Sequence, residues 1–147
     1  MKISTKGRYA LRTMVDLARH GEEGLAPLKD IAARQNISQK YLEQIVTQMS
    51  KAGFLYGVRG PQGGYRLARD PAEYTLAEIL QVMEGNLAPV ACLEDQPNRC
   101  ERYEGCPTVK MWEGLYQTML EYLNGITLQQ LSDSAGQGDY FDIGLNI

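Results

Sequence analysis

Residues 27–67 read PLKDIAARQNISQKYLEQIVTQMSKAGFLYGVRGPQGGYRL. The stretch divides into two short helical patterns followed by two short strands. Leu28 to Gln35 forms the first pattern, with Ile31 and Ala32 set to point inward. Asn36, Ile37 and Ser38 make a turn, and Ser38 can cap the next helix by accepting a backbone N–H at its start. In that second helix Leu42, Ile45, Val46 and Met49 recur at three- and four-residue steps, which builds one apolar face. The opposite face carries Gln39, Lys40, Glu43, Gln44, Thr47 and Lys51. Gly53 ends the helix, Phe54 to Val58 reads as a strand, and Tyr65 to Leu67 returns beside it. Between the strands Gly60, Pro61, Gly63 and Gly64 form a tight turn flanked by Arg59 and Arg66. Two helices joined by a short turn and followed by a basic hairpin make a winged helix-turn-helix, a mainly α fold with a small two-stranded wing.

Helix-turn-helix pairs also serve as plain structural elements, so the motif alone does not settle a partner. The wing adds to it, because arginines beside a Gly-rich tip suit a phosphate backbone or a minor groove. Charge adds more. The 147-residue chain has a net charge of -3 and a pI near 5.2, which taken whole argues against nucleic acid. The halves disagree: residues 1–70 hold 12 Lys and Arg against 6 Asp and Glu, and residues 71–147 hold 3 against 12. A basic first half and an acidic second half point to a basic binding face, and screening beyond about 8 Å makes the local field the relevant one. Double-stranded DNA is the expected partner.

Upstream, Ser4 or Thr5 can cap a helix running to about His20, with Tyr9, Leu11, Met14, Val15, Leu17 and Ala18 as its apolar stripe. Lys2, Lys6, Arg8 and Arg12 crowd its start, where cations oppose the helix dipole. DNA phosphate would explain them, and so would an ordinary solvated basic face. His20, the single histidine, reads as a favourable cation at a helix end. Downstream, Asp70-Pro71 breaks the chain, and Thr75 opens a helix with capping-box spacing to Glu78 that Gly85 stops. Residues 1–85 thus read as the DNA-binding domain.

Residues 86–107, NLAPVACLEDQPNRCERYEGCP, show no helical or strand period and contain all three cysteines, Cys92, Cys100 and Cys106. From Val109 the helical period returns through Trp112, Leu115, Tyr116, Met119, Leu120 and Leu123. One small domain does not easily cover so long an apolar helix, so 108–131 reads as a dimerisation helix with a short helix capped by Thr127 behind it. A homodimer suits DNA, because two-fold proteins read palindromic sites. Residues 132–147 read as a flexible tail.

No signal peptide is visible in Met1 to Arg12, and no apolar run approaches the roughly 20 residues of a membrane span. The expectation is a cytoplasmic protein without a membrane partner. There clustered cysteines point to metal or redox chemistry more than to a structural disulfide. No enzyme reading emerges: the sequence shows no paired nucleophile and base, and GPQGG is neither a P-loop nor a dinucleotide fingerprint.

The start MKISTKGRYALRTMVDLA, the helix ISQKYLEQIV and the wing VRGPQGGYRLARD resemble the bacterial winged-helix repressor family of the iron–sulfur cluster regulator IscR, with CymR and NsrR. The resemblance covers roughly residues 1–131. It implies a dimeric repressor whose recognition helix presents Lys40, Tyr41, Glu43 and Gln44 to DNA. Arg59, Gly60, Gly63 and Gly64 would bring the wing against the backbone and minor groove. A carboxylate can accept from a cytosine amine but is repelled by phosphate, so Glu43 there acts as a selectivity device.

The resemblance also implies an iron–sulfur cluster, [2Fe–2S] before [4Fe–4S], on Cys92, Cys100 and Cys106. Soft thiolates suit such a cluster or Zn²⁺. The spacing Cys92-x7-Cys100-x5-Cys106 has a first interval two residues longer than usual in the family. The fourth ligand departs too. IscR-like members place a histidine where this chain has Val109, and NsrR-like members an aspartate where it has Arg8. Two alternatives remain: a cluster-free regulator controlled by thiol oxidation, and one controlled by a protein partner, for which the tail GDYFDIGLNI leaves room.

Overall fold

The structure, a computed structural model, describes residues 2–134. Six α-helices and one two-stranded sheet follow in the order α1 (Thr5–Arg19), α2 (Leu28–Gln35), α3 (Gln39–Lys51), β1 (Leu55–Val58), β2 (Gly64–Leu67), α4 (Leu76–Glu84), α5 (Val109–Asn124) and α6 (Leu128–Ser134). The chain is therefore a mainly helical winged helix-turn-helix, as its spacing predicts. Ser4, not Thr5, caps α1, its hydroxyl accepting from the Gly7 amide at 3.0 Å. Ser38 caps α3 in the same way from Tyr41, and Thr75 and Glu78 form the expected capping box on α4. Each cap satisfies amides that the first helical turn leaves without partners.

Ile31, Leu42, Ile45, Val46 and Met49 are fully buried and meet Met14 and Leu17 of α1 and Ile79 of α4 in one core. The turn between α2 and α3 closes on Asn36 in the left-handed conformation, at φ 53°, a geometry asparagine tolerates better than most residues. The strands are one residue out from the sequence reading: β1 starts at Leu55 rather than Phe54, and β2 at Gly64 rather than Tyr65. They pair antiparallel with Tyr56 opposite Arg66 and Val58 opposite Gly64. Ala26 extends the sheet by exchanging two backbone bonds with Tyr65, at 2.9 and 2.8 Å.

Two packing features have no counterpart in the sequence reading. Tyr74 is fully buried, and its hydroxyl donates to the Phe54 carbonyl (2.7 Å) while accepting the amides of Ala68 and Arg69 (3.1 and 3.0 Å). One phenol thereby ties the entry and exit of the wing to the core. Asp16 of α1 is 2% exposed and receives both the Nε and an Nη of Arg34 (2.9 and 2.7 Å) and the side-chain amide of Gln35 (3.0 Å). Burial pushes its carboxyl up, but the hydrogen bonds from Arg34 and Gln35 and the nearby charges outweigh that and hold it below the ordinary value.

The C-terminal helices return to this core. Ile126 and Leu128 are buried in it, and the Leu76 amide and Tyr74 carbonyl bond to the Ile126 carbonyl and Leu128 amide. Helix α6 runs to Ser134, three residues past the expected end and into the segment read as tail; the rest of that tail, 135–147, lies outside the described residues.

Candidate nucleic-acid interface and cysteine segment

Because Leu42, Ile45, Val46 and Met49 consume one face of α3, the other is forced outward. Lys40, Glu43, Gln44, Thr47 and Lys51 are all exposed. Tyr41 is half-buried, its ring edge-on to Tyr9 of α1 at 5.8 Å, with the Arg12 guanidinium 5.0 Å from the Tyr9 ring on α1. It joins the start of α3 to α1 as well as bordering the outer face.

A notch of about 280 Å³ separates α3 from the wing, bordered by Gln39 and Glu43 on one side, Gly60, Gly63 and Gly64 on the other, and Lys29 of α2. Glu43 and the wing glycines therefore face one space, and Lys29 and Gln39 belong to its rim although the sequence reading assigned them no contact role. Gly60 needs to be glycine because its φ is 105°. The other two have an internal reason: a Cβ at Gly63 would collide with the Val58 carbonyl, and one at Gly64 with that of Ala26. Arg59 is exposed beside the notch, and Arg66 stacks on Tyr56 at 4.4 Å across the wing.

Few cations of the described residues are ion-paired, and those on and beside α3 and the wing are not. Among the described residues Lys2, Lys6, Arg8, Lys29, Lys40, Lys51, Arg59 and Arg66 form no ion pair with a carboxylate, whereas Arg34 is engaged by Asp16. Cations without internal counter-charges are the electrostatic footprint of a polyanion partner.

The cysteine segment is built from short turns. Cys92 lies in a 3-10 turn over Ala91–Leu93, and Cys106 follows another over Tyr103–Gly105. Turns of three residues are too short to leave a period in the sequence. Asn98 bridges two of the cysteines, its amide donating to the Cys92 carbonyl (2.7 Å) and its oxygen accepting the Cys100 amide (2.8 Å). Cys100 is exposed, and Cys92 and Cys106 are half-buried. The Thr108 hydroxyl, the amides of Thr108 and Val109 at the start of α5, and Arg102 together hold the Cys106 thiol below its ordinary value. Tyr103 fastens the segment to α5 by donating to Glu113 at 2.5 Å, and Lys110 pairs with the same carboxylate at 3.0 Å. Both groups keep their charge more firmly as a result. Among the described residues no three His, Cys, Asp or Glu side chains gather to hold a metal. Val109 is buried, so that position is committed to packing, and Arg8 bonds to Thr5.

A helix-turn-helix with an outward polar face, a wing sharing a notch with it and an unpaired cationic surface define a winged-helix, DNA-binding transcriptional regulator. The chain belongs to the Rrf2 family, described as iron-dependent transcriptional regulators, which it matches over residues 3–134. It is similar to the HTH-type transcriptional regulator IscR of Aliivibrio salmonicida, 38% identical over 131 residues that cover 89% of this chain and 77% of that protein. The solved structure of CymR, the global cysteine regulator of B. subtilis, superposes with a TM-score of 0.74 at 38% identity, covering 90% of this chain and 97% of that one. T. potens IscR gives 0.74 at 37% identity, with 97% and 93% covered. Among the described residues no helix is long and apolar enough to cross a membrane.

Proposed function

We propose that the chain is a homodimeric repressor that grips a palindromic operator with α3 and the wing, and that its cysteine segment adjusts that grip. The observation that supports the DNA reading is the shared notch, because Glu43 and the wing glycines border it together and one duplex would meet both. Lys40, Gln44 and Glu43 would meet base edges, with Tyr41 beside them, while Arg59, Gly60, Gly63 and Gly64 follow the backbone. Arg59→Ala should weaken duplex binding and lower the salt slope by about one unit; unchanged binding removes the wing from the interface.

Dimer formation is supported by α5. Of its residues only Val109 is buried, while Trp112, Leu115, Tyr116, Met119 and Leu120 are half-buried and Met111 is 53% exposed. A second α5 would cover that face.

The donor chemistry of the cysteines fits an iron–sulfur cluster: three soft thiolates on one surface segment, Cys106 already acidified. Cys92, Cys100 and Cys106 would hold it, [2Fe–2S] being the favoured form and [4Fe–4S] the other. When bound it would supply a redox- and ligand-sensitive charge beside α5. The iron in the family's description supports this reading. A second reading, a cluster-free thiol switch, is favoured by one observation: the three cysteine side chains do not gather in one place, and the Cys106 thiol is held below its ordinary value by its hydrogen bonds. Iron and acid-labile sulfide in anaerobically purified protein decide between them. Matched iron and sulfide that disappear in Cys92→Ala support the cluster; colourless protein after reconstitution supports the thiol switch.

A further inference from the structure

The last turn of α4 is held at two points, by α3 and by the head of α1. From α3, Gln48 donates its side-chain amide to the Val82 carbonyl at 2.7 Å. From the head of α1, Ser4 donates both its backbone N–H (3.0 Å) and its hydroxyl (2.6 Å) to Glu84 Oε1, across 80 residues of sequence.

The second contact completes a helix cap in an unusual way. A capping box needs Glu or Gln three residues after the cap, and α1 has Gly7 there. Glu84 takes that role from α4, and a Cβ at Gly7 would collide with Glu84 Oε1. The glycine leaves room for a carboxylate that another helix supplies. The first turn of α1 contains no acidic residue, and Lys2, Lys6 and Arg8 surround it, so the Glu84 charge also offsets a cationic cluster at the positive end of the helix dipole.

Directly after Glu84, Gly85 turns the chain at φ 85° into the segment that carries Cys92. That segment is anchored by two buried side chains, Leu87 ahead of Cys92's turn and Leu93 within it. Residues 85–91, pinned by Leu87 midway, are all that separates Cys92 from α4.

We propose that the last turn of α4 couples the cysteine segment to the DNA-facing surface, with Glu84 and Gln48 as positioning residues that act through α1 and α3. The inference rests on the reading of the cysteines as a sensor. It assigns to Glu84 the placement of the cationic head of α1, and to Gln48 the placement of the recognition helix.

The test compares the full chain in two thiol states, reduced and metal-free or alkylated with iodoacetamide. The probe is a fluorescent duplex selected from random sequence by the wild-type protein. In wild type, alkylation shifts duplex affinity by about tenfold and changes amide exchange in the first turn of α1. In Glu84→Ala the reduced protein still binds, the shift falls below about twofold, and exchange in α1 no longer responds. Ser4→Ala weakens the response from the other side of the contact and serves if Glu84→Ala does not fold. A wild type that ignores alkylation overturns the sensor reading and this inference with it. A wild type that responds, alongside variants that respond equally, overturns the coupling route alone.

Discussion

Residues 5–85 and residues 86–124 differ in what their side chains touch. In the first region the apolar faces of α1, α3 and α4 meet in one core, and its buried carboxylate and phenol are fully partnered. In the second, burial is confined to Leu87, Leu93 and Val109, and α5 leaves most of its apolar residues half-covered. The charges follow the same division, basic in the first and acidic in the second. A surface complete within one chain can read a ligand as a rigid unit. A surface left open changes with what covers it, which suits pairing and sensing.

The sharpest way to break the first region is Asp16→Ala, which strands Arg34 and Gln35 beside a vacated site. Loss of one partner of a buried pair costs about 3 kcal/mol, the low end of the usual range because the Arg34 side chain keeps 31% of its surface exposed, read as a lower denaturant midpoint with unchanged slope. The pH dependence has a definite sign. The folded-state carboxyl titrates below its ordinary value near 3.8, so the unfolded chain takes up the proton first. The stabilisation is complete above that value and is lost as pH falls through it towards the lower folded value. Asp16→Ala should remove that acid-limb sensitivity, and an unchanged limb assigns it to other carboxylates.

A smaller effect should come from Tyr74→Phe, which deletes one donor, leaves the Arg69 amide without an acceptor and leaves the Ala68 amide only its longer bond to the Phe54 carbonyl (3.3 Å), at about 2 kcal/mol. Hydrogen exchange should rise at Ala68 and Arg69 while α5 stays unchanged. Equal loosening of both regions contradicts their separation.

The fold was legible because its signals are local. Ile45 and Met49 declare a face four residues apart, and Thr75 and Glu78 declare a cap three apart. Asp16 was not legible, since Arg34 and Gln35 reach it only after α1 and α2 pack. Tyr74 was hidden for the same reason: its partners at Phe54, Ala68 and Arg69 are joined by the wing, not by spacing. Within the candidate site, the outward side of α3 could be read off the helical period. The glycines could be read as turn formers, but the contacts of Gly63 with Val58 and of Gly64 with Ala26 depend on the strand register. Glu84 could not be read as the cap of α1, because its signature is the absence of a carboxylate at Gly7.

The most direct measurement of the whole account is a hydroxyl-radical footprint of the wild-type protein on a duplex it selects from random sequence, with the mass of the complex determined in parallel. Two protomers joined through α5, each placing α3 and a wing on DNA, predict two protected half-sites about one helical turn apart, roughly 10 base pairs, and two chains per duplex. A single protected patch with one chain bound at full affinity would contradict it.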